Sequence, residues 1–223
     1  NIDQAILMVT LKNPITTTNF IDRFLVAAQS YSIDVCIIFN KLDIYDKKMI
    51  QQQQELRNLY QKIGYPCISL SILNDNLDQV KVLMKKKVNL IAGHSGVGKS
   101  TFINKLQPSL NLTTNAISDA HNQGQHTTTF SEMHELDFGA FIIDTPGIRG
   151  FGIVDIGKRE LGDYFREFLT FKPKCKFKNC IHINEPDCAL KDALNRGVVA
   201  QSRYVSYLNM LEDNKTYRFN DNN

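Results

Sequence analysis

The chain has 223 residues, of which 43% are hydrophobic, and its formal net charge is +3. This length and composition predict one or two domains with buried cores, and the small charge does not by itself indicate a nucleic-acid partner. The sequence has no apolar run near the roughly 18 residues of a membrane helix and no secretory signal, so we expect a cytoplasmic protein without membrane association.

Apolar runs alternate with helical patterns along the first two thirds of the chain. The predicted strands cover residues 5–9, 35–39, 67–71, 88–91, 130–136 and 140–143. This alternation is typical of an α/β fold with a doubly wound, mostly parallel sheet and helices on both faces. In such sheets ligands bind outside the carboxyl ends of the strands, which is where the motifs described next fall.

The first motif follows the second predicted strand and reads Asn40, Lys41, Leu42, Asp43. A carboxylate here can accept hydrogen bonds from N1–H and the exocyclic amine of guanine. Adenine has no donor at N1 and would leave the buried charge unpaired, which is costly. N-K-x-D alone also occurs by accident on loops. The turn after the third strand is expected to offer backbone amides to guanine O6 near Ser71, although Leu70-Ser71 stands where Ser-Ala is usual.

The second motif is a complete G-x-x-x-x-G-K-[ST] sequence between a predicted strand and a predicted helix. Its residues are Gly93, His94, Ser95, Gly96, Val97, Gly98, Lys99 and Ser100, with Thr101 next. The glycines let backbone amides surround phosphates at a helix N-terminus. Lys99 supplies charge for the terminal phosphates and for catalysis, and Ser100 can ligate Mg²⁺. An ATPase is the competing interpretation, which the preceding N-K-x-D disfavours.

The third motif, Asp144-Thr145-Pro146-Gly147, ends the last predicted strand. Asp144 can hold the magnesium shell, and the Gly147 amide can contact a terminal phosphate. In the polar segment before it, Thr127 or Thr128 is a candidate magnesium ligand, but these threonines also fit a strand start. Ile148 cannot orient water, so we expect a slow GTPase in isolation. His126 is the candidate catalytic substitute, and an ordinary loop histidine is the alternative.

Three cysteines and a histidine lie close together in the last third of the chain: Cys175, Cys180, His182 and Cys188. A Cys₃His set can close a tetrahedral site, and such a closed site is structural. Residues 156–223 are therefore predicted to form a small, mainly helical zinc-binding domain after a GTPase domain in residues 1–155. Nearby lysines at 172, 174, 176 and 178 fit rRNA phosphates or an ordinary solvated face.

The motif order is unusual, because N-K-x-D precedes the phosphate loop, as in a circular permutation. The chain resembles the ribosome small-subunit-dependent, circularly permuted GTPases known as RsgA or YjeQ. The resemblance rests on residues 1–4, 22–25, 40–43, 93–100, 124–129 and 144–151, on the Cys₃His set, and on residues 188–191 and 203–208.

The resemblance implies a function in late maturation of the small (30S) ribosomal subunit, with GTP hydrolysis stimulated by that subunit. It implies GTP or GDP, Mg²⁺ and one structural Zn²⁺ as cofactors, and the subunit, its rRNA and other assembly factors as partners of a monomer. It also implies an N-terminal OB-fold before Asn1, so we expect this sequence to be a shortened form. A guanine-nucleotide-binding placeholder with negligible hydrolysis is the alternative function.

Overall fold

The computed structural model describes residues 2–111, 132–144 and 156–219, which form two compact units. A six-stranded sheet lies at the centre of the first unit. Its strands are β1 (Gln4–Val9), β2 (Asp34–Phe39), β3 (Cys67–Ser69), β4 (Val88–Ala92), β5 (Glu132–Leu136) and β6 (Ala140–Asp144). Their order is β3-β2-β1-β4-β6-β5, and only the β5–β6 pair is antiparallel among the described strands. The predicted mostly parallel α/β sheet is confirmed.

The central strands are buried because their residues are apolar on both faces. All six residues of β1 are buried, as are five of the six in β2. This is the pattern of a parallel strand covered on both sides. The α-helices in the described residues of this unit are α2 (Lys47–Ile63), α3 (Asp78–Met84) and α4 (Lys99–Leu106).

Two strand boundaries in the structure differ from those predicted from the sequence. β3 ends at Ser69 rather than at residue 71, because the Ser71 amide donates to the Asp75 carboxylate instead of continuing the sheet. β5 is described from Glu132 onward, and residues 130–131 of its predicted range lie outside the described part.

The second compact unit combines α1 (Thr18–Ser30) with the C-terminal part of the chain, which contains α5 (Ala189–Asn195) and α6 (Gln201–Phe219). Short 3₁₀ turns precede α5, and a buried apolar cluster includes Phe165, Phe168, Leu190 and Tyr207. The predicted boundary at residue 155 does not anticipate that α1 belongs to this unit.

A buried ion pair links α1 to α6 within the second unit. The Arg203 guanidinium donates to Asp22 Oδ1 at 2.6 Å and to both carboxylate oxygens of Glu167 at 2.6 and 3.0 Å. Its carbon Cζ also lies 4.6 Å from the centre of the Phe165 ring. Despite burial, which lowers the pKa of Arg203, the two carboxylates raise that pKa above its ordinary value, so the residue is a fixed cation.

Candidate nucleotide site and metal centre

The P-loop, residues 93–100, connects β4 to α4 and depends on glycine at two positions with positive φ. Gly93 has φ +144°, and a Cβ there would lie 2.5 Å from the Met8 carbonyl oxygen. Gly98 has φ +104°, and a Cβ there would lie 2.8 Å from Asn40 Nδ2. A side chain at either position would therefore meet both backbone strain and a steric clash.

The P-loop lysine lies over the loop that carries it. Lys99 Nζ donates to the carbonyl oxygens of Gly93 and His94, each at 2.8 Å. Burial and the charge of Lys99 lower the pKa of His94, which favours its neutral imidazole. Lys99 therefore lies at the start of α4 with buried Ser100 next to it, and its predicted contact with a phosphate chain stays a prediction.

The side chain of Asn40 connects the P-loop to the loop after β3. Asn40 Nδ2 donates to the Val97 carbonyl oxygen at 2.8 Å, and its Oδ1 accepts from the Ile72 amide at 3.0 Å. Asn40 is 3% exposed, so both bonds are made away from bulk water. The Asn40 side chain therefore holds the P-loop and the loop after β3 together.

Lys41 makes a second connection to the P-loop. Its backbone is left-handed, with φ +66°, and its Nζ donates to the carbonyl oxygens of Gly96 at 2.6 Å and of Asn13. Tyr45 supports the same region, because its hydroxyl donates to the Asn40 carbonyl oxygen at 2.8 Å and accepts from the Leu11 amide at 2.6 Å. Neither Asn13 nor Tyr45 is predictable from the sequence, since neither belongs to a motif with fixed spacing.

One cavity of about 310 Å³ joins the N-K-x-D motif to the N-terminal end of α4. Its lining residues are Asn13, Asn40, Lys41, Asp43, Ile44, Ile72, Leu73, Gly98 and Thr101. Two segments of the chain that are more than fifty residues apart in the sequence therefore meet at one site, although Leu42 is not part of the lining. The apolar side chains of Ile44 and Ile72 and the carboxylate of Asp43 suit a purine with hydrogen-bond donors on one edge.

The loop of residues 71–75, called the β3 loop below, uses most of its backbone amides internally. The Ser71 amide donates to Asp75 Oδ2 at 2.7 Å, and the amides of Asn74 and Asp75 donate to the Ser71 carbonyl oxygen. Within the described residues, the Leu73 amide is the one in this loop without a hydrogen-bond partner. That amide, rather than the amide of Ser71, is available for an acceptor such as guanine O6.

The remaining predicted contacts lie partly outside the described structure. Asp144 is the last residue of β6, but its side chain is not described. His126, Thr127, Thr128 and Gly147 also lie outside the described residues. Their predicted roles stay predictions, as does the magnesium ligation by Ser100.

The predicted zinc ligands come together in the second unit. His182 Nδ1 lies 3.6, 3.4 and 3.3 Å from the sulfur atoms of Cys175, Cys180 and Cys188, and the Cys175 and Cys188 sulfurs are 4.0 Å apart. All four ligand atoms lie within 4.8 Å of one another. A tetrahedral Zn²⁺ with bonds of about 2.3 Å to sulfur and about 2.0 Å to nitrogen requires separations of about 3.5 to 3.8 Å. The four residues therefore fit a closed Zn²⁺ site.

Buried side chains fix the loop that carries His182. The hydroxyls of Tyr204 and Tyr207 on α6 donate to the carbonyl oxygens of His182 and Ile181, at 2.7 and 2.6 Å. Burial, together with the neighbouring Cys188 and Cys175, raises the pKa of the Cys180 thiol to about 12. The pKa of the Cys188 thiol is also raised by burial, and adjacent thiols such as these two ionise together only beside a cation, which agrees with a metal site.

No helix in the described part of the chain has both the length and the apolar character needed to cross a bilayer.

The sequence model of the RsgA GTPase family matches residues 1–154. The small ribosomal subunit biogenesis GTPase RsgA of Flavobacterium psychrophilum is 53% identical over 220 residues, which cover 98% of this chain and 68% of that protein. The protein of the same name from Phocaeicola vulgatus is 50% identical over 220 residues, covering 98% and 71%.

Two solved structures resemble the fold. YjeQ from Thermotoga maritima superposes with a TM-score of 0.83 at 36% identity, covering 96% of this chain and 71% of that chain. YloQ, described as a circularly permuted GTPase, has a TM-score of 0.81 at 30% identity, covering 97% and 69%. The family match over more than half of the chain, together with these identities, shows that the chain belongs to the RsgA GTPase family.

Proposed function

We propose that this protein is a GTP hydrolase that acts in late maturation of the small ribosomal subunit. The observation that carries the proposal is the cavity that Asp43 and Lys41 share with Gly98 and Thr101. A guanine held by Asp43 would have its phosphates within reach of the P-loop, and the relatives are named small ribosomal subunit biogenesis GTPases. A placeholder without hydrolysis is not favoured, since those relatives are named as enzymes.

The P-loop residues have distinct roles in this proposal. The amides of residues 93–100 and the charge of Lys99 bind the phosphates and stabilise the negative charge that develops during transfer. Ser100 and Asp144 would hold Mg²⁺, together with Thr127 or Thr128, and Gly147 would contact the terminal phosphate. When bound, Mg²⁺ neutralises charge on the phosphate oxygens.

Ile148, the residue after Gly147, is the reason why we propose that the subunit stimulates hydrolysis. The alkyl side chain of Ile148 has no group that orients the attacking water. Hydrolysis by the isolated protein is therefore slow, and docking on the subunit brings His126 into position for the water. We propose rRNA as the contacted component, with Lys172, Lys174, Lys176 and Lys178 binding phosphates.

The zinc-bearing unit and the cellular setting complete the proposal. Zn²⁺ held by the Cys₃His set fixes the fold of residues 175–188, where metal binding supplies folding free energy. The protein acts as a monomer in the cytoplasm, where small subunits mature, and meets other assembly factors there.

GTP turnover measured over a titration of purified small subunits tests this function. Slow turnover alone and a saturable increase with subunits are expected. Lys99→Ala, which removes the phosphate-binding charge, should abolish the increase. Turnover that small subunits leave unchanged would contradict the proposed function.

A further inference from the structure

Lys105, in the last turn of α4, binds the β3 loop through its ammonium group. Its Nζ donates to the carbonyl oxygens of Ile72 at 2.5 Å, Leu73 at 3.1 Å and Asp75 at 2.8 Å. An ammonium has three N–H donors, and here three acceptors from one short loop surround it. No neutral side chain of similar length can satisfy all three carbonyls.

The loop that Lys105 binds forms one wall of the nucleotide cavity. Ile72 and Leu73 both line that cavity. The loop is also held by Asn40 Oδ1, which accepts from the Ile72 amide, and by the Asp75 carboxylate, which accepts from the Ser71 amide. Lys105 provides the hydrogen bonds that attach this wall to the helix that begins at Lys99 and carries the phosphate-binding end of the site.

We propose that Lys105 is a positioning residue for base recognition. It fixes the carbonyls of residues 72, 73 and 75 against α4, and this places the Leu73 amide and the apolar wall where they accept guanine. The inference rests on the proposed function, because it assumes that the cavity binds a guanine nucleotide. The competing explanation is that Lys105 only complements the helix dipole at the C-terminal end of α4, which would affect stability but not the choice of base.

The test compares Lys105→Met with the wild-type chain in three binding measurements. GDP and ADP affinities are determined by calorimetry, and pyrophosphate is titrated as a competitor of a fluorescent guanine nucleotide. We expect GDP affinity to fall about tenfold, the size expected for losing a charged group's hydrogen bonds. ADP affinity and pyrophosphate competition should change much less, so that the GDP-to-ADP preference falls.

Two further variants make the result specific. Lys62→Met, in the last turn of α2, removes an exposed lysine at a comparable helix position and should change neither affinity nor preference. Lys105→Arg keeps a cation with several donors and should therefore retain part of the wild-type preference for GDP over ADP. If Lys105→Met does not fold, Lys105→Gln, which retains two donors on a shorter side chain, is expected to change the preference in the same direction.

An unchanged GDP-to-ADP preference in a folded Lys105 variant would overturn this inference and leave the proposed function standing. Wild-type protein without any preference for GDP over ADP would instead overturn the proposed function, and this inference with it.

Discussion

Asn40 Nδ2 donates to the Val97 carbonyl oxygen at 2.8 Å, which ties the base motif directly to the phosphate loop. The bond is buried, and it connects residues 57 positions apart in the sequence. Because the same side chain also accepts from the Ile72 amide, the relative positions of three loops depend on one amide group.

Gly98→Ala tests this junction. A Cβ at Gly98 would lie 2.8 Å from Asn40 Nδ2, so we expect the Asn40–Val97 bond to break and nucleotide affinity to fall at least tenfold. Gly64→Ala is the matched control, because Gly64 has a similar φ of +101° and nothing within 4 Å of the added atom. Gly64→Ala should lower the free energy of unfolding by only about 1 kcal/mol, the cost of an alanine in a left-handed backbone conformation. Equal effects of the two variants on affinity, measured by calorimetry, would argue against the junction.

His126→Ala tests the proposed catalytic residue. Nucleotide affinity should stay at the wild-type value, since the base and phosphate contacts come from other residues. Turnover stimulated by the small subunit should fall by about two orders of magnitude, which is typical for loss of a group that assists proton transfer. Single-turnover kinetics with saturating subunits measures the effect, and undiminished turnover would remove His126 from the mechanism.

Cys188→Ser tests the metal centre. Loss of one of four ligands should reduce zinc content and lower the melting temperature of the second unit, because ligand binding and folding are coupled there. A strong chelator should reproduce this loss in the wild-type protein, with zinc quantified by atomic absorption. An identical melting temperature before and after complete zinc removal would contradict a structural role for the metal.

Arg203→Met tests the buried ion pair. The substitution leaves the Asp22 and Glu167 carboxylates without their cation, so we expect a loss of about 3 to 5 kcal/mol in the free energy of unfolding. Lys176→Met removes the exposed pair with Asp187 and should cost less than about 1 kcal/mol. Denaturant unfolding compares the two, and equal small losses would mean that the buried pair contributes little.

The local motifs of the candidate site could be identified from the sequence. The P-loop and N-K-x-D were identified because their residue types and spacing follow from phosphate and guanine chemistry, and the strands before them are continuous apolar runs. The Cys₃His set was identified because its residue types suit Zn²⁺ and its four ligands lie within fourteen positions.

The contacts that assemble the site were not predictable in the same way. Lys105 and Tyr45 bond to backbone groups of other loops, and Asn13 contributes its own carbonyl oxygen to Lys41. Backbone donors and acceptors leave no sequence pattern. The pairing of Asp22 with Arg203 joins residues 181 positions apart, so no sequence pattern groups α1 with the C-terminal unit.

The most direct test of a guanine site built by Asp43 and the P-loop is the base preference of Asp43→Asn. The wild-type carboxylate accepts from N1–H and the 2-amino group, whereas an asparagine amide also donates and therefore suits the 2-oxo group of xanthine. Measured by calorimetry, GDP affinity should fall by at least tenfold while XDP affinity rises, which reverses the preference. If Asp43→Asn binds GDP as tightly as the wild-type protein does, residue 43 does not recognise the base, and the proposed guanine site is wrong.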